Sequence, residues 1–206
     1  MTLLEQRVTR LSLAVRLDDA YAPGRRIVGE ASVMLVERPR PPHRNLSGDF
    51  LFLDLAPGPV TVSVTAALYL PQTRSVTLPL ATPLAPVLVV ALAPRWFYPF
   101  PPAATLVQGM VKDAQGAPIA DGVVTLVERA VASRTGDDGR FVIALRGLAE
   151  DDVTVVGGRR LVKAGGGTTF TLRLEHAGYR TETVSVGELP ESARTVIAHP
   201  LAMTRQ

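Results

Sequence analysis

Three histidines and three pairs of adjacent aspartates are the residues whose types could do chemistry. His43, His176 and His199 lie in separate segments, with no His-x-His or His-x-x-x-His spacing. A zinc site needs three or four converging donors, and the sequence names no partners for these three. Asp18/Asp19, Asp137/Asp138 and Asp151/Asp152 are oxygen-rich, as calcium requires, but no D-x-D-x-D-G loop contains them. "TGDDGR", residues 135–140, is the best of these weak calcium candidates; solvated turns account for all three pairs more simply. No G-x-S-x-G elbow is present to activate a serine. "GGRRLVKAGGG", residues 157–167, is glycine-rich, but it lacks G-K-[ST] and precedes strands instead of a helix, so it is no phosphate cradle. The absence of cysteine excludes disulfides and thiolate ligands. The sequence therefore assigns no catalytic residue, no metal and no cofactor, and the expectation is a protein that is not an enzyme.

The chemistry that remains is recognition, and two stretches could perform it. "RWFYPFPP", residues 95–102, holds Trp96, Phe97, Tyr98 and Phe100 among three prolines, four aromatics within five positions. Left in water, these rings would form an apolar patch that soluble proteins seldom expose. They must pack, and their place near the chain midpoint suggests a clamp between two halves. A sugar-binding platform is the competing reading, but alternating prolines spread rings to different sides of an extended chain. The second stretch is "VTVVGGRRLV", residues 153–162. Gly157 and Gly158 can both take the positive φ of a tight hairpin turn. Val153, Val155, Arg159, Arg160 and Leu161 are its candidate partner-binding residues. Two readings stay open: a strand pair added to a sheet, or a contact arm standing off the sandwich edge, with Gly165–Gly167 as a flexible exit.

The elements that must position these residues are strands. Seventeen prolines and seventeen glycines penalise helix interiors throughout. The apolar segments are short, β-branched and often of period two, as at Val60, Val62, Val64 and at Phe170, Leu172, Leu174. The chain also repeats itself. "SVMLVER" (32–38) answers "VVTLVER" (123–129), "NLSGDFLFLDL" (45–55) answers "RTGDDGRFVIAL" (134–145), and Tyr69 answers Tyr179 in the following pair of strands. These landmarks predict an all-β chain of two tandem Greek-key β-sandwiches of immunoglobulin size. The expected boundaries are an N-terminal tail at 1–8, a first sandwich at 9–94, an aromatic and proline joint at 95–102, and a second sandwich at 103–206 carrying an insertion at 151–167.

Composition narrows the partners. With 47% hydrophobic and 20% charged residues the chain can fill a core. A net charge of +3 with interleaved signs leaves no footprint for nucleic acid. The local run Arg38, Arg40 and Arg44 and the pair Arg159/Arg160 read as solvated loops. No stretch has the ~18 uninterrupted apolar residues of a membrane helix. "MTLLEQRVTRLSLAV" is broken by Glu5, Arg7 and Arg10 and does not read as a signal peptide, so the expectation is a cytoplasmic protein, or one that leaves by an unusual route in a particle that is later released.

The second repeat resembles the carboxypeptidase regulatory-like domain, a transthyretin-like (prealbumin-like) sandwich. Gly109, Val111, Asp113, Gly116, Pro118 and Ile119 fit its first motif, with Gly122 near the usual alanine. Asp137, Gly139 and Phe141 fit the second motif, and Gly178 and Tyr179 the third. The first repeat is more diverged, with "YAPGRRIVG" in place of the G-x-P-I turn. The resemblance implies a stalk, adaptor or binding module without catalytic residues. A hydrolase of purine breakdown shares this fold, but its histidine and arginine constellation and Tyr-Arg-Gly-Ser terminus are missing here. The two-domain pattern with its "YPFP" joint also looks like accessory proteins of phage-tail-like contractile injection particles. The expected partners are therefore proteins of a larger assembly, with a carbohydrate- or peptide-binding module as the rival expectation.

Overall fold

Every stretch of alternating apolar residues becomes a strand in the computed structural model, which describes residues 9–37, 41–82 and 84–206. The N-terminal tail 1–8 and Arg38 and Arg40 of the basic run lie outside the described residues. The chain divides into two compact units, Met1–Pro94 and Arg95–Gln206.

The first unit holds β1 (Leu11–Asp19), β2 (Ala31–Leu35), β3 (His43–Arg44), β4 (Phe50–Leu53), β5 (Gly58–Ala66), β6 (Tyr69–Leu78) and β7 (Val87–Leu92). They form two sheets, in the orders β3-β4-β1-β7 and β2-β5-β6. β1 pairs antiparallel with β4 and parallel with β7. Period-two side chains explain the layering: Leu13, Val15 and Leu17 of β1 turn inward with Val33, Leu35, Phe50, Phe52, Val62, Val64 and Leu92, all buried.

The second unit repeats this plan. Its strands are β8 (Thr105–Asp113), β9 (Val123–Leu126), β10 (Val131–Arg134), β11 (Arg140–Leu145), β12 (Val153–Val156), β13 (Arg159–Val162), β14 (Thr169–Glu175), β15 (Glu182–Glu188), β16 (Arg194–Val196) and β17 (Leu201–Met203). One sheet has the order β11-β8-β16, with β17 also pairing parallel to β8, and the other the order β10-β9-β14-β15. β8 takes the place of β1, with an antiparallel neighbour on one side and parallel ones on the other. β9, β14 and β15 take the places of β2, β5 and β6. The chain is thus all-β, in two tandem β-sandwiches. The units differ at one edge: β10 covers β9, whereas β3 pairs with β4 in the opposite sheet and leaves β2 at an edge.

The motif residues act as scaffold. Asp113 Oδ1 accepts from the amides of Gln115 (3.0 Å) and Ala117 (2.8 Å), closing the turn that Gly116 completes with φ +86°. Gly139 lies at φ +73°, and a Cβ there would collide with the carbonyl oxygen of Val111. Phe141 fills the second core at 1% exposure, and a Cβ on Gly109 would come within 2.8 Å of its ring. Tyr179 sits at the core margin, half-buried against the Arg205 guanidinium and the His176 ring.

Two acid readings are corrected. Asp19 is not a solvated turn residue: it is 2% exposed and accepts from the Tyr69 hydroxyl (3.1 Å) and the Tyr21 amide (2.7 Å). Asp152 is tied to Arg129 at 2.7 Å and accepts from the Ala149 amide at 3.0 Å. In both cases the organising partner is distant or unmarked in sequence.

Candidate partner-binding hairpin and aromatic segment

β12 and β13 form the expected hairpin, with Val153 opposite Val162 and Val156 opposite Arg159. Gly157 and Gly158 take φ +56° and +77°, the conformation a two-residue turn demands. Its base is anchored. Val153, Leu161 and Val162 are buried, Val162 and Ala164 within the main core of the unit. The Val162 amide donates to the Leu189 carbonyl (2.9 Å), and the Glu191 amide donates to that of Arg160 (3.1 Å), so residues 189–191 run along β13. The hairpin is a two-stranded sheet of its own, not a strand pair added to a sandwich sheet, and only its tip stands clear while its base lies against the core. Buried apolar side chains at the base, each worth roughly 1.5–3 kcal/mol, hold it down. The flexible exit is corrected: Ala164 and Gly167 exchange backbone hydrogen bonds of 2.7 and 3.2 Å, so the glycines close a turn.

Ion pairs fix the root further. Arg160 bonds Glu191 through Nε and both carboxylate oxygens of Glu150 through Nη2, at 3.1 and 3.0 Å. These bonds push the Arg160 guanidinium up and hold the Glu191 carboxyl below its ordinary range. A hydrogen bond from Arg129 does the same for Asp152, whose carbonyl oxygen also accepts from the Lys163 amide at 2.8 Å.

The five sequence-chosen residues thus divide by role. Val153 and Leu161 are core, and Arg160 is committed to two glutamates. Val155, 63% exposed, and Arg159 reach solvent at the tip. Sequence reasoning missed Val156, which is 47% exposed beside them. Alternation was its signal: with Val153 in the core, Thr154 and Val156 turn to the opposite side of β12. The tip is two valines and an arginine on a rigid root.

The aromatic segment belongs to the second unit. Trp96 and Phe100, with Ala144 of β11, pack against Ala104, which precedes β8, Leu106 of β8 and Val142 of β11. This cover explains why Thr105 to Gln108 are buried without alternation. Gln108 Nε2 donates to the Trp96 carbonyl at 2.7 Å. The indole N–H donates to Asp138 Oδ2 at 3.1 Å, and the Arg140 guanidinium sits 4.1 Å from the ring centroid. Phe97 meets Trp96 edge-on at 5.5 Å, and Tyr98 meets Phe100 at 4.8 Å. A sugar platform needs an open ring face and a free polar rim. Trp96 has Arg140 over its ring and its indole N–H engaged, and Tyr98 is 7% exposed. Phe97 alone is widely exposed, at 47%.

Among the described residues no group of three or more His, Asp or Glu side chains could hold a metal ion.

No protein-family model and no curated protein matches the chain. Solved structures similar to it include a cohesin–X-dockerin complex from Acetivibrio cellulolyticus, with 22% identity and a TM-score of 0.31 over 48% of this chain and 56% of that one. The TIE protein of Bacillus anthracis matches at 11% identity and TM-score 0.31 over 95% of this chain, which spans 34% of the longer one. A minor pilin of Streptococcus agalactiae matches at 11% and 0.31 over 95% of this chain and 96% of that one. At such scores the likeness carries no argument about function.

Proposed function

We propose that this chain is a non-catalytic, protein-binding component of a larger assembly, and that the β12–β13 tip makes the contact. One observation carries the reading: Val155 and Val156 are presented to solvent on a hairpin whose root is locked by buried side chains and ion pairs. A preorganised apolar tip loses little conformational entropy on binding, which is the economical design for a contact element. The first unit, built on the same strand plan, has no such hairpin among its described strands.

In finer terms, the second unit is proposed to be a carboxypeptidase regulatory-like, transthyretin-like domain. Its strand orders β11-β8-β16 and β10-β9-β14-β15, the parallel pairing at β8 and the close approach of Gly109 to Phe141 support that reading. The assembly is proposed to be a phage-tail-like contractile injection particle, on the resemblance of the two-domain pattern. The experiment is affinity capture from the native host with wild-type chain and with Val155→Asp/Val156→Asp. One protein held by the wild type and lost from the folded variant is the expected result. Identical captures from the two chains would remove the tip from the reading.

A further inference from the structure

We propose that β2 is a strand-addition edge occupied by β2 of a second copy of this chain, paired antiparallel about Val33.

The hydrogen-bond phase of β2 sets up the argument. The Val36 amide donates to the Thr61 carbonyl (2.9 Å), and the register pairs Met34 with Ser63 and Ser32 with Thr65. In an antiparallel ladder the bonded pairs alternate. Ser32, Met34 and Val36 therefore point their backbone groups at β5, and Ala31, Val33 and Leu35 point theirs outward. Among the described residues nothing pairs with that outward row.

The second unit shows what fills such a row. "SVMLVER" and "VVTLVER" align Val33 with Val124 and Leu35 with Leu126. In the second unit β10 lies antiparallel on this row, Val131 opposite Leu126 and Ser133 opposite Val124. The occupant that fits the row of β2 left unpaired among the described residues is thus an antiparallel strand.

Three features make that strand β2 itself. The outward residues 31, 33 and 35 are symmetric about Val33, so self-pairing satisfies every outward amide and carbonyl in both copies. Met34 and Val36 are 48% and 60% exposed, and this pairing brings those of the two copies onto one shared face. The same register sets Glu30 opposite Val36 and Glu37 opposite Gly29, so no like charges meet. Three other sheet edges carry features that disfavour strand addition and that β2 lacks. β15 has a register shift within the strand. β6 has Pro71 and Arg74. β7 has its end tied by the Leu70 amide to the Ala93 carbonyl (2.8 Å).

The test uses the full chain in sedimentation velocity over a concentration series. The wild type should shift from 22.0 kDa towards twice that mass. In the proposed register Ser32 faces Met34 of the other copy, and both side chains are exposed. Ser32→Lys/Met34→Lys should then lose association at least about tenfold, and so should Ser32→Glu/Met34→Glu, because like charges meet directly across the strands. Mixing the two variants should restore the dimer. A wild type that stays monomeric would overturn the proposal and leave the edge to a strand of another protein. Association that survives both double substitutions, or that mixing does not restore, would overturn it as well.

Discussion

The Tyr69 hydroxyl donates to Asp19 Oδ2 at 3.1 Å and accepts the Val28 amide at 2.9 Å, tying β6 in one sheet of the first unit to β1 in the other. Both side chains are buried, at 0% and 2% exposure. One oxygen thus holds two sheets and the loop before β2. Tyr69→Phe keeps the ring and removes the oxygen, leaving the Val28 amide without its acceptor. The expected cost is about 1–3 kcal/mol to the first unit, read as a lower urea midpoint at unchanged slope.

The Gly109–Phe141 contact is the corresponding test of the second unit. Gly109→Ala places a methyl 2.8 Å from the Phe141 ring, and Ile197 Cδ1 at 3.3 Å closes the other side. Overpacking of this kind costs about 1–3 kcal/mol. Trp96 is the chain's one tryptophan and lies in the second unit, so its fluorescence reports that unit's unfolding. Its midpoint should fall while that of the first unit stays in place.

Much of this was legible because it is local. Alternation at Val60–Val64 and Phe170–Leu174 marked strands, and Gly157-Gly158 marked a hairpin turn, because each depends on residues within a few positions. The illegible parts depend on distant partners. Asp19 looked like half of a solvated pair because Tyr69, fifty residues on, is what buries it. The sequence left the hairpin between an added strand pair and a free arm because Leu189 and Glu191, which pin β13, follow two further strands. Arg160 looked available for the same reason, since both its glutamates lie outside the motif. The edge position of β2 was hidden by the repeat itself: "SVMLVER" and "VVTLVER" look equivalent, and nothing in them tells that, among the described strands, only the second has a neighbour on that side.

Asp49 gives a pH prediction. Its side chain is 7% exposed and is approached by Arg26 at 2.8 Å and Arg16 at 3.5 Å. Burial pushes the carboxyl up, but hydrogen bonds from Arg26 and Asn45 and the charges of Arg26 and Arg16 outweigh it, leaving it below its ordinary range. A depressed folded-state value contributes stability that is full above the unfolded value, ~3.9, and is lost as pH falls through the folded one. The first unit's Tm should therefore drop on acidification below about pH 4. Asp49→Asn should lower Tm at neutral pH and flatten that drop.

The hairpin tip carries the account's central claim, and the lack of native cysteine makes it directly testable. Val155→Cys and, as a control on exposed β6, Thr73→Cys would each be labelled with a photo-activated cross-linker and illuminated in native host extract. The account predicts one dominant adduct, a single protein, from position 155 and none of that mass from position 73. The same adducts from both positions, or none from position 155 while the unlabelled chain still captures its partner, would contradict it.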